Sequence, residues 1–359
     1  MMRLALLTYG LPVTGQKRGG IERVAHVLAQ GLTERGHDVV AFSHDGRPAG
    51  ANYQIRELPW KAFVNTWFGR RATMGYLGNV MALVPDYSGF DVVIAFGDSL
   101  LLPLKHTRLL RVMLGSALGE ARSARTLGRF VLQSGIYVQE LATALTQPTV
   151  GISENTRRDN PFVKHTILLG VDSKIFHRNG DAKTPEPSLM FVGTAAGRKR
   201  GRWLLEMFQK TIRPAHPAAT LMFVGPPDER LPGVSYYTGI SDHQLADLYR
   251  RAWLYVSPST YEGFGLPYLE AMACGTAVIA TPNPGSREVS GDGAYGRLVR
   301  DDVFAETILQ LLGDAGRRRA LEEAGLRRAR ELSLVSMIDQ YEALLMQLSG
   351  AHARSVASA

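Results

Sequence analysis

The sequence predicts an α/β protein made of two doubly wound domains, each with a parallel sheet between helices. Three observations support this fold class. The chain has 359 residues, which is enough for two domains of ordinary size. Short apolar runs alternate with helical patterns in both halves, as in parallel sheets buried on both faces. A polar stretch at residues 178–188, with two prolines and one glycine, predicts a linker between the halves.

The first half begins with a strand at residues 3–8, where the sequence is nearly all apolar. Apolar residues then recur at helical spacing from Ile21 to Leu32, and this periodicity predicts a helix. A turn and a strand follow at 36–42. Further apolar runs predict buried strands at residues 91–96, 109–114 and 148–152.

The alternation restarts after the linker, and from about residue 301 the sequence is helical in pattern. We therefore expect a first domain at 1–178, a second at 179–335, a final helix at 336–349 and a tail at 350–359. The strand-like runs of the second half are residues 188–193, 219–225, 234–239, 253–259 and 276–282.

Composition and charge exclude several classes of protein. A single cysteine, Cys274, cannot form an intrachain disulfide or a zinc site of several cysteines. No run approaches the roughly 18 apolar residues of a membrane span, so we expect a soluble, cytoplasmic protein. Residues 1–180 hold 21 basic and 13 acidic residues, whereas residues 181–359 hold 20 of each. The first half is therefore predicted to meet an acidic surface or ligand.

The strongest motif lies at residues 258–282, between a predicted strand and a predicted helix. Glu262 precedes a glycine-rich turn at 263–265, and Pro267 suits a first helical position. The turn and the helix start bring backbone N–H groups together, which makes an anion site apt for a diphosphate. Glu262 and Glu270 can flank a ligand there and accept hydrogen bonds from vicinal hydroxyls. The alternative is a tight turn whose acids interact with the helix dipole.

Two further loops carry candidate binding groups. Arg198 and Lys199 follow a strand that ends at Gly193, and fixed cations there can neutralise the charge of a leaving diphosphate. A cationic loop is otherwise ordinary surface, and we expect the neighbouring Arg200 and Arg202 to be solvated. Near the N-terminus, a pair of glycines follows the first strand and opens a helix, so that backbone amides there can face a ligand.

Together these segments resemble retaining glycosyltransferases of family 4. Residues 258–282 resemble the family's paired glutamates with seven residues between them, and residues 19–42 its N-terminal glycine loop and first helix. Residues 168–176 resemble its Gly-Val-Asp segment, although Leu169 stands where asparagine is usual. The resemblance spans residues 3–345 and includes the segments 239–259 and 286–299.

The resemblance implies the GT-B fold, in which two Rossmann-like domains face each other across a cleft. It implies metal-independent transfer of a hexose from a UDP- or GDP-sugar, with retention of the anomeric configuration. The acceptor would be a glycan, a lipid-linked molecule or a small molecule, in cell-surface polysaccharide or glycoconjugate synthesis. Residues 1–178 would bind the acceptor and residues 179–335 the donor. The final helix would cross back onto the first domain.

The resemblance also implies roles for single residues. Lys199 and Arg198 would stabilise the leaving diphosphate, Glu262 would hold the donor sugar, and Glu270 would bind the ribose. The donor would further contact Gly19, Gly20, Gly193, the backbone of Ile240, Gly263, Phe264, Gly265 and Leu266.

On the acceptor side, many family members place a histidine just after the strand at 109–114. This sequence has Leu114 there, so Ser116 or the backbone would take that contact. Glu22 either caps its helix or contacts the acceptor. Asp98 is either a surface turn or part of the cleft.

We expect no metal and no other cofactor, because no two aspartates lie two residues apart as in metal-dependent transferases. Residues 60–84 predict either a core helix with a basic end or a contact with an anionic membrane, which would make the protein peripheral at the inner membrane face. The aromatic and basic residues concerned are Trp60, Lys61, Phe63, Trp67, Phe68, Arg70 and Arg71.

Three other functions are compatible with parts of the pattern. A nucleotide-sugar epimerase of the same architecture would convert the donor alone, and the paired glutamates disfavour it. A nucleotide-sugar-binding protein without catalysis stays open because the usual histidine is missing. The sequence pI of 9.6 suggests nucleic-acid binding. No recognised binding motif accompanies the basic residues, so we expect no nucleic-acid partner.

Overall fold

The computed structural model describes residues 1–12, 20–59, 66, 77–97, 99–122, 124, 126–180, 183–227 and 229–350. It divides into two compact units, each with one parallel sheet. The first unit comprises Met1–Leu168 and the chain from Met337, and the second comprises Leu169–Ser336. In the described ranges, no helix has both the length and the hydropathy that crossing a bilayer requires.

The first unit contains a seven-stranded parallel sheet. Its strands are β1 (Arg3–Thr8), β2 (Asp38–Ser43), β3 (Gln54–Glu57), β4 (Val92–Phe96), β5 (Leu109–Met113), β6 (Thr149–Gly151) and β7 (His165–Thr166). They lie in the order β3-β2-β1-β4-β5-β6-β7, so Leu6 of β1 pairs with Ala41 on one side and with Ile94 on the other. β4 and β5 are buried along their whole length, as their continuous apolar runs predicted.

The helices of the first unit lie between these strands. They are α1 (Gly20–Glu34), α2 (Gly78–Met81), α3 (Ala117–Arg122), α4 (Leu127–Thr146) and α5 (Glu154–Asp159), with a 3₁₀ turn at Leu102–Leu104. Helix α1 confirms the helix predicted from Ile21 to Leu32, and it buries Val24, Leu28 and Leu32 on one face.

The second unit contains a six-stranded parallel sheet. Its strands are β8 (Ser188–Val192), β9 (Thr220–Val224), β10 (Val234–Tyr237), β11 (Leu254–Ser257), β12 (Ala277–Ala280) and β13 (Arg297–Leu298). They lie in the order β10-β9-β8-β11-β12-β13. Every strand predicted in this half is present, and the predicted fold class of two doubly wound parallel sheets is confirmed.

Helices separate the strands of the second unit and complete the chain. They are α6 (Gly201–Met207), α7 (Arg213–Ala215), α8 (Asp242–Arg251), α9 (Leu266–Ala273), α10 (Pro284–Ser290), α11 (Asp301–Gly313), α12 (Ala315–Glu331) and α13 (Leu334–Ser349). A 3₁₀ turn at Gly197–Lys199 precedes α6, and a π-helical turn at Phe208–Ile212 joins α6 to α7.

The core of the second unit anchors the loop that follows β8. Phe191 of β8 and Phe223 of β9 are fully buried, and their ring centroids lie 4.8 Å apart. Trp203 of α6 packs edge-on against Phe304 of α11, with centroids 5.6 Å apart. Each fully buried side chain of this size contributes about 1.5–3 kcal/mol. The loop between β8 and α6 is therefore held firmly at both ends.

The segment before the predicted linker packs within the second unit. Val171 donates its N–H to the Leu332 carbonyl over 2.9 Å and accepts from Leu334 over 2.9 Å. A Cβ atom on Gly170 would lie 2.3 Å from the Ser333 oxygen, so only glycine allows this approach. These contacts place the structural division after Leu168, earlier than the expected boundary at 178/179.

Helix α13 packs on α1 within the first unit. The Ile338 side chain occupies the space that a Cβ atom on Gly31 would need. Glu342 accepts a hydrogen bond from Arg35 over 2.5 Å and lies 2.9 Å from His37 Nε2. His37 Nδ1 accepts the backbone N–H of Met2, so the hydrogen on Nε2 points to Glu342.

Candidate active site

The candidate site lies at the carboxyl ends of β8 and β11 in the second unit. These two strands are neighbours in the parallel sheet, so the loops that follow them leave from the same edge. The backbone N–H of Thr260 donates to the Arg198 carbonyl over 2.9 Å and ties the two loops together. The loop that carries Arg198 and Lys199 is thus hydrogen-bonded to the loop that carries Glu262.

Glu262 lies between two cations. Arg198 Nη1 donates to Glu262 Oε2 over 2.7 Å and to the Tyr261 carbonyl over 2.6 Å. The Lys199 ammonium lies 2.6 Å from Oε1 as an ion pair, without the angles of a hydrogen bond. The side chain of Glu262 is only 7% exposed, whereas that of Arg198 is 46% exposed. The cluster is therefore buried at the carboxylate and open at the arginine.

The environment of Glu262 keeps it ionised. Burial raises the pKa of its carboxyl, but the charges of Lys199 and then Arg198 oppose this and outweigh it. The pKa therefore lies below its ordinary value, and the carboxylate is negative at neutral pH. Two cations around one anion leave the cluster with one net positive charge, which suits an anionic ligand.

The turn after Glu262 depends on two glycines. Gly265 has φ +95°, and a Cβ atom there would lie 2.4 Å from the ring of Tyr268. Gly285 donates its N–H to the Glu262 carbonyl over 2.9 Å. A Cβ atom on Gly285 would lie 2.5 Å from the Phe264 oxygen. Sequence reasoning missed Gly285, although the Pro-Gly pair at a helix start was a signal for it.

Buried side-chain hydroxyl and amide groups form a hydrogen-bond network beside the same turn. The Tyr268 hydroxyl contacts Ser257 Oγ at 3.2 Å and accepts from Asn283 Nδ2 at 3.3 Å. Asn283 also caps α10 by accepting from the Ser286 N–H over 3.0 Å. This network fixes the start of α9, where Leu266 and the half-buried Gly263 present their backbone.

Glu270 lies on α9 and is almost fully buried. The Tyr249 hydroxyl donates to its Oε2 over 3.2 Å. Burial, with the nearby charge of Glu270, raises the pKa of Tyr249 well above its ordinary value, so the phenol stays protonated and donates. Sequence reasoning missed Tyr249, because its partner is on another helix.

Two glycines bring the ends of β8 and β9 into close contact. A Cβ atom on Gly225 would lie 1.9 Å from the Gly193 oxygen. A Cβ atom on Gly193 would lie 3.1 Å from Lys199 Cβ, so the lysine lies over this glycine. Gly225 was not predicted, although both strands run into the same Phe-Val-Gly sequence, at 191–193 and 223–225.

The expectation that Arg200 is solvated is wrong. Its guanidinium donates two hydrogen bonds to Asp301, over 2.9 and 2.7 Å. It also lies over the ring of Trp203, 4.4 Å from the centroid. Arg200 adopts φ +56°, so it both turns the chain into α6 and fixes the loop. Arg202 is exposed, as expected.

The remaining predicted residues are spread over both units. Ile240 of the second unit is half-buried beside Gly239, which has φ +65°. In the first unit, Gly20 is exposed at the start of α1. Glu22 is half-buried, and its Oε2 has no hydrogen-bond partner among the described residues. Ser116 is buried, and its hydroxyl accepts from the Gly119 N–H over 3.2 Å. Gly19, Asp98 and most of residues 60–84 lie outside the described residues.

No metal-binding cluster occurs in the part of the chain that the structure describes. No three histidine, cysteine or acidic side chains converge there in a way that could hold a metal ion. The charged groups of the site are instead the two cations and two buried glutamates described above.

Comparison with solved structures defines the class of fold. A sucrose-phosphate synthase from Thermosynechococcus elongatus superposes with a TM-score of 0.80 at 20% identity, over 98% of this chain and 100% of that chain. Anabaena Alr3699/HepE, solved in complex with UDP and glucose, superposes with a TM-score of 0.73 at 15% identity, over 97% of this chain and 100% of that chain. The fold is that of the GT-B glycosyltransferases.

Sequence comparison shows which family the second unit is similar to. Residues 186–314, within that unit, match the model of the family Glycosyl transferases group 1. The O-antigen chain mannosyltransferase B of Escherichia coli is 34% identical over 161 residues, which are 40% of this chain and 42% of that protein. The MMP alpha-(1->4)-mannosyltransferase of Mycolicibacterium hassiacum is 35% identical over 189 residues, 45% of each chain.

These matches confirm the resemblance at the level of the group. The chain spans about half the length of the curated relatives it matches. Membership of family 4 stays a prediction.

Proposed function

We propose that this protein is a retaining glycosyltransferase that moves a hexose from a UDP- or GDP-sugar to a glycan, lipid-linked or small-molecule acceptor in glycan synthesis. The observation that carries the proposal is the buried Glu262 between Arg198 and Lys199, next to a glycine turn at a helix start. Such a cluster offers both hydroxyl acceptors and phosphate-binding cations. A nucleotide sugar carries hydroxyls and phosphates, so its binding site needs both kinds of group within the length of the ligand.

Lys199 and Arg198 stabilise the diphosphate as it leaves. The bond between the sugar C1 and the phosphate oxygen breaks, and C1 bonds to the acceptor oxygen on the same face. The acceptor proton passes to the departing phosphate oxygen, which gains negative charge as the bond breaks. Cations already fixed by Glu262 and the Tyr261 carbonyl need no reorganisation at that moment, which is how electrostatic preorganisation lowers a barrier.

The two glutamates bind different parts of the donor. Glu262 accepts hydrogen bonds from hydroxyls of the donor sugar, and Glu270 accepts from the ribose hydroxyls. The amides of Phe264, Gly265 and Leu266 bind the sugar and the phosphates, where the positive end of the α9 dipole adds to the attraction. Gly193 lets the phosphates approach the backbone, and the backbone near Ile240 meets the base.

The donor class is supported by two independent kinds of observation. The net positive charge of the Glu262 cluster suits a diphosphate. The Anabaena neighbour was solved with UDP and with UDP-glucose, and the curated relatives include mannosyltransferases. We propose that the phosphates are met by Lys199, Arg198 and the helix dipole, without a metal ion or another cofactor.

We assign the acceptor to the first unit, with Glu22 and Ser116 as candidate contacts. Glu22 supports this because one of its carboxylate oxygens is buried without a hydrogen-bond partner among the described residues. Peripheral binding to an anionic membrane through residues 60–84 remains part of the proposal. Its described portion, residue 66 and residues 77–84, exposes Val80 and Val84.

Thermal unfolding with UDP, GDP, ADP, NAD⁺ and short DNA, each with and without EDTA, tests the proposal. A ligand at 100 times its Kd stabilises the protein by about 2.7 kcal/mol, which raises the Tm by a few degrees. We expect a shift with one nucleoside diphosphate, unchanged by EDTA. Shifts only with NAD⁺ or DNA would contradict the proposal. Conversion of the donor sugar without any acceptor would point to the epimerase, and binding without any turnover to the non-catalytic protein.

A further inference from the structure

Helix α4 carries an unusual surface in the first unit. All of its 20 residues are described, and only Thr143 and Ala144 are buried. Five of its large apolar residues are between 48% and 78% exposed: Leu127, Phe130, Val131, Val138 and Leu145. Monomeric proteins rarely leave so many apolar side chains exposed along one element, so this face is predicted to bind something.

Five apolar positions of α4 and the polar Ser134 between them form one straight stripe, in which Ser134 and Leu141 are half-buried and the other four are exposed. These six positions follow one another at intervals of four, three, four, three and four residues, which is the heptad spacing of paired helices. The stripe is about 27 Å long at 1.5 Å per residue. Its members are Leu127, Val131, Ser134, Val138, Leu141 and Leu145. Gly128, Gly135 and Ala142 run beside it at seven-residue intervals, so another helix can approach closely.

Charge argues for a protein partner rather than a membrane. The only charged residues of α4 are Arg129 and Glu140, which have opposite signs and lie off the stripe. A helix that lies on an anionic membrane usually has many lysines and arginines on its polar face. A helix without net charge gains little from anionic lipid, but it can face an identical surface without repulsion.

The intervals between the residues of the stripe are the same whether they are read from the N-terminal or the C-terminal end of α4. If two copies of α4 lie antiparallel about a twofold axis near residue 136, Leu127 of one faces Leu145 of the other. In the same pairing Val131 faces Leu141, and Ser134 faces Val138. Every position then meets a position of the same stripe, which is what an isologous dimer interface requires.

We propose that two copies of this protein form a dimer through antiparallel pairing of their α4 helices. The pairing uses the first unit alone and is independent of the proposed activity. It buries the apolar stripe and brings only small residues to the axis, where Ser134 and Val138 pack. A mutant that lacks activity can therefore still dimerise, and a monomeric variant can still bind the nucleotide.

Sedimentation analysis of the full chain tests the dimer. We expect a mass of twice the 39.3 kDa chain. Val138→Glu puts two carboxylates near the axis and should weaken dimerisation by about 100-fold or more. Val335→Glu is the matched control, because Val335 is a similarly exposed valine on α13 and should leave the mass unchanged. A monomer at all concentrations for the unmodified protein would overturn the proposal.

Cysteine cross-linking tests the orientation. The native Cys274 is buried and does not interfere. Leu127→Cys and Leu145→Cys should each give no cross-linked dimer alone, but an oxidised mixture of the two should give one. Cross-linking within either single variant would overturn the antiparallel register. If Val138→Glu instead removed binding to anionic vesicles by a protein that sediments as a monomer, the surface would be a membrane contact and the dimer would be excluded.

Discussion

The two units carry the same kind of sheet, but their carboxyl edges differ. In the second unit, Glu262 is locked between Arg198 and Lys199, and the turn beside it rests on a buried hydrogen-bond network. In the first unit, Gly20 is exposed and Glu22 has a buried oxygen without a hydrogen-bond partner among the described residues. The edge of the second unit is thus preorganised around a carboxylate held by two cations, whereas the described part of the first edge leaves one carboxylate oxygen of Glu22 without a hydrogen-bond partner.

The half of the chain with the larger net charge is not the half that carries the cationic cluster. The excess of basic residues lies in residues 1–180, yet the cationic cluster suited to phosphate lies in the half with 20 basic and 20 acidic residues. Overall charge governs attraction at a distance, whereas binding at a site depends on which charges are fixed within a few ångströms. A half of the chain without net charge can therefore hold a cluster with a net positive charge.

The largest expected effect comes from a charge at the preorganised edge. Lys199→Ala should lower kcat by about 100- to 1,000-fold, because it removes a fixed cation from the leaving diphosphate. Arg202→Ala, which removes an exposed cation at the start of the following helix α6, should leave kcat nearly unchanged. Initial rates with the donor identified by thermal unfolding measure both. Equal losses of kcat in the two variants would show that the decrease does not depend on the charge at position 199.

Alanine at a glycine of each edge should separate the two regions in stability. Gly285→Ala should reduce the free energy of unfolding by about 1–3 kcal/mol, because its Cβ would lie 2.5 Å from the Phe264 oxygen. Gly20→Ala should change it by less than about 0.5 kcal/mol, since among the described residues no atom outside its own helix lies within 4 Å of the new Cβ. Urea denaturation compares them. A neutral Gly285→Ala would mean that the turn is not tightly held.

Tyr249→Phe should weaken binding of the nucleoside diphosphate by about tenfold, because the hydroxyl that orients Glu270 is lost. The 2′,3′-dideoxy form of the same nucleoside diphosphate should bind Tyr249→Phe and the unmodified protein equally, because it has no ribose hydroxyls that could donate hydrogen bonds to Glu270. Tyr341→Phe is the control, since its buried hydroxyl has no partner among the described residues. Calorimetry measures the affinities. An equal loss with the dideoxy form would make Tyr249 a structural residue only.

The smallest expected effect concerns pH. The pKa of Glu262 is lower in the folded protein than in the unfolded chain, where it is about 4.3. Its ion pairs therefore stabilise the fold above that pH, and this contribution disappears as the pH falls through the folded-state pKa. The unfolding free energy should fall less between about pH 6 and about pH 3.5 in Glu262→Gln than in the unmodified protein. An identical pH dependence would contradict the assigned ion pairs.

The sheets could be predicted because their strands are buried on both faces. Such strands are continuous apolar runs, and the runs at 91–96 and 109–114 needed no partner to be recognised. The sequence did not indicate β3, β7 and β13, which are only two to four residues long and partly exposed. Short edge strands bury too little surface to leave an apolar run.

The site was predictable where it is local in sequence and not where it joins distant segments. The Glu262 turn and the start of α9 are contiguous, so their residue types and spacing were informative. The partner of Arg200 is Asp301, which lies 101 residues further on, and Arg200 was therefore expected at the surface. Gly285 and Tyr249 were missed for the same reason, because each acts on a residue from another element.

The placement of α13 affects how the protein folds as it is synthesised. The second unit is one continuous stretch of chain and can be completed once residue 336 has left the ribosome. The first unit needs Glu342 to reach Arg35 and His37, and Ile338 to fill the space beside Gly31. The unit whose translation begins first is thus completed after the second unit, and its open side is exposed to chaperones and proteases until residues 337–349 have been made.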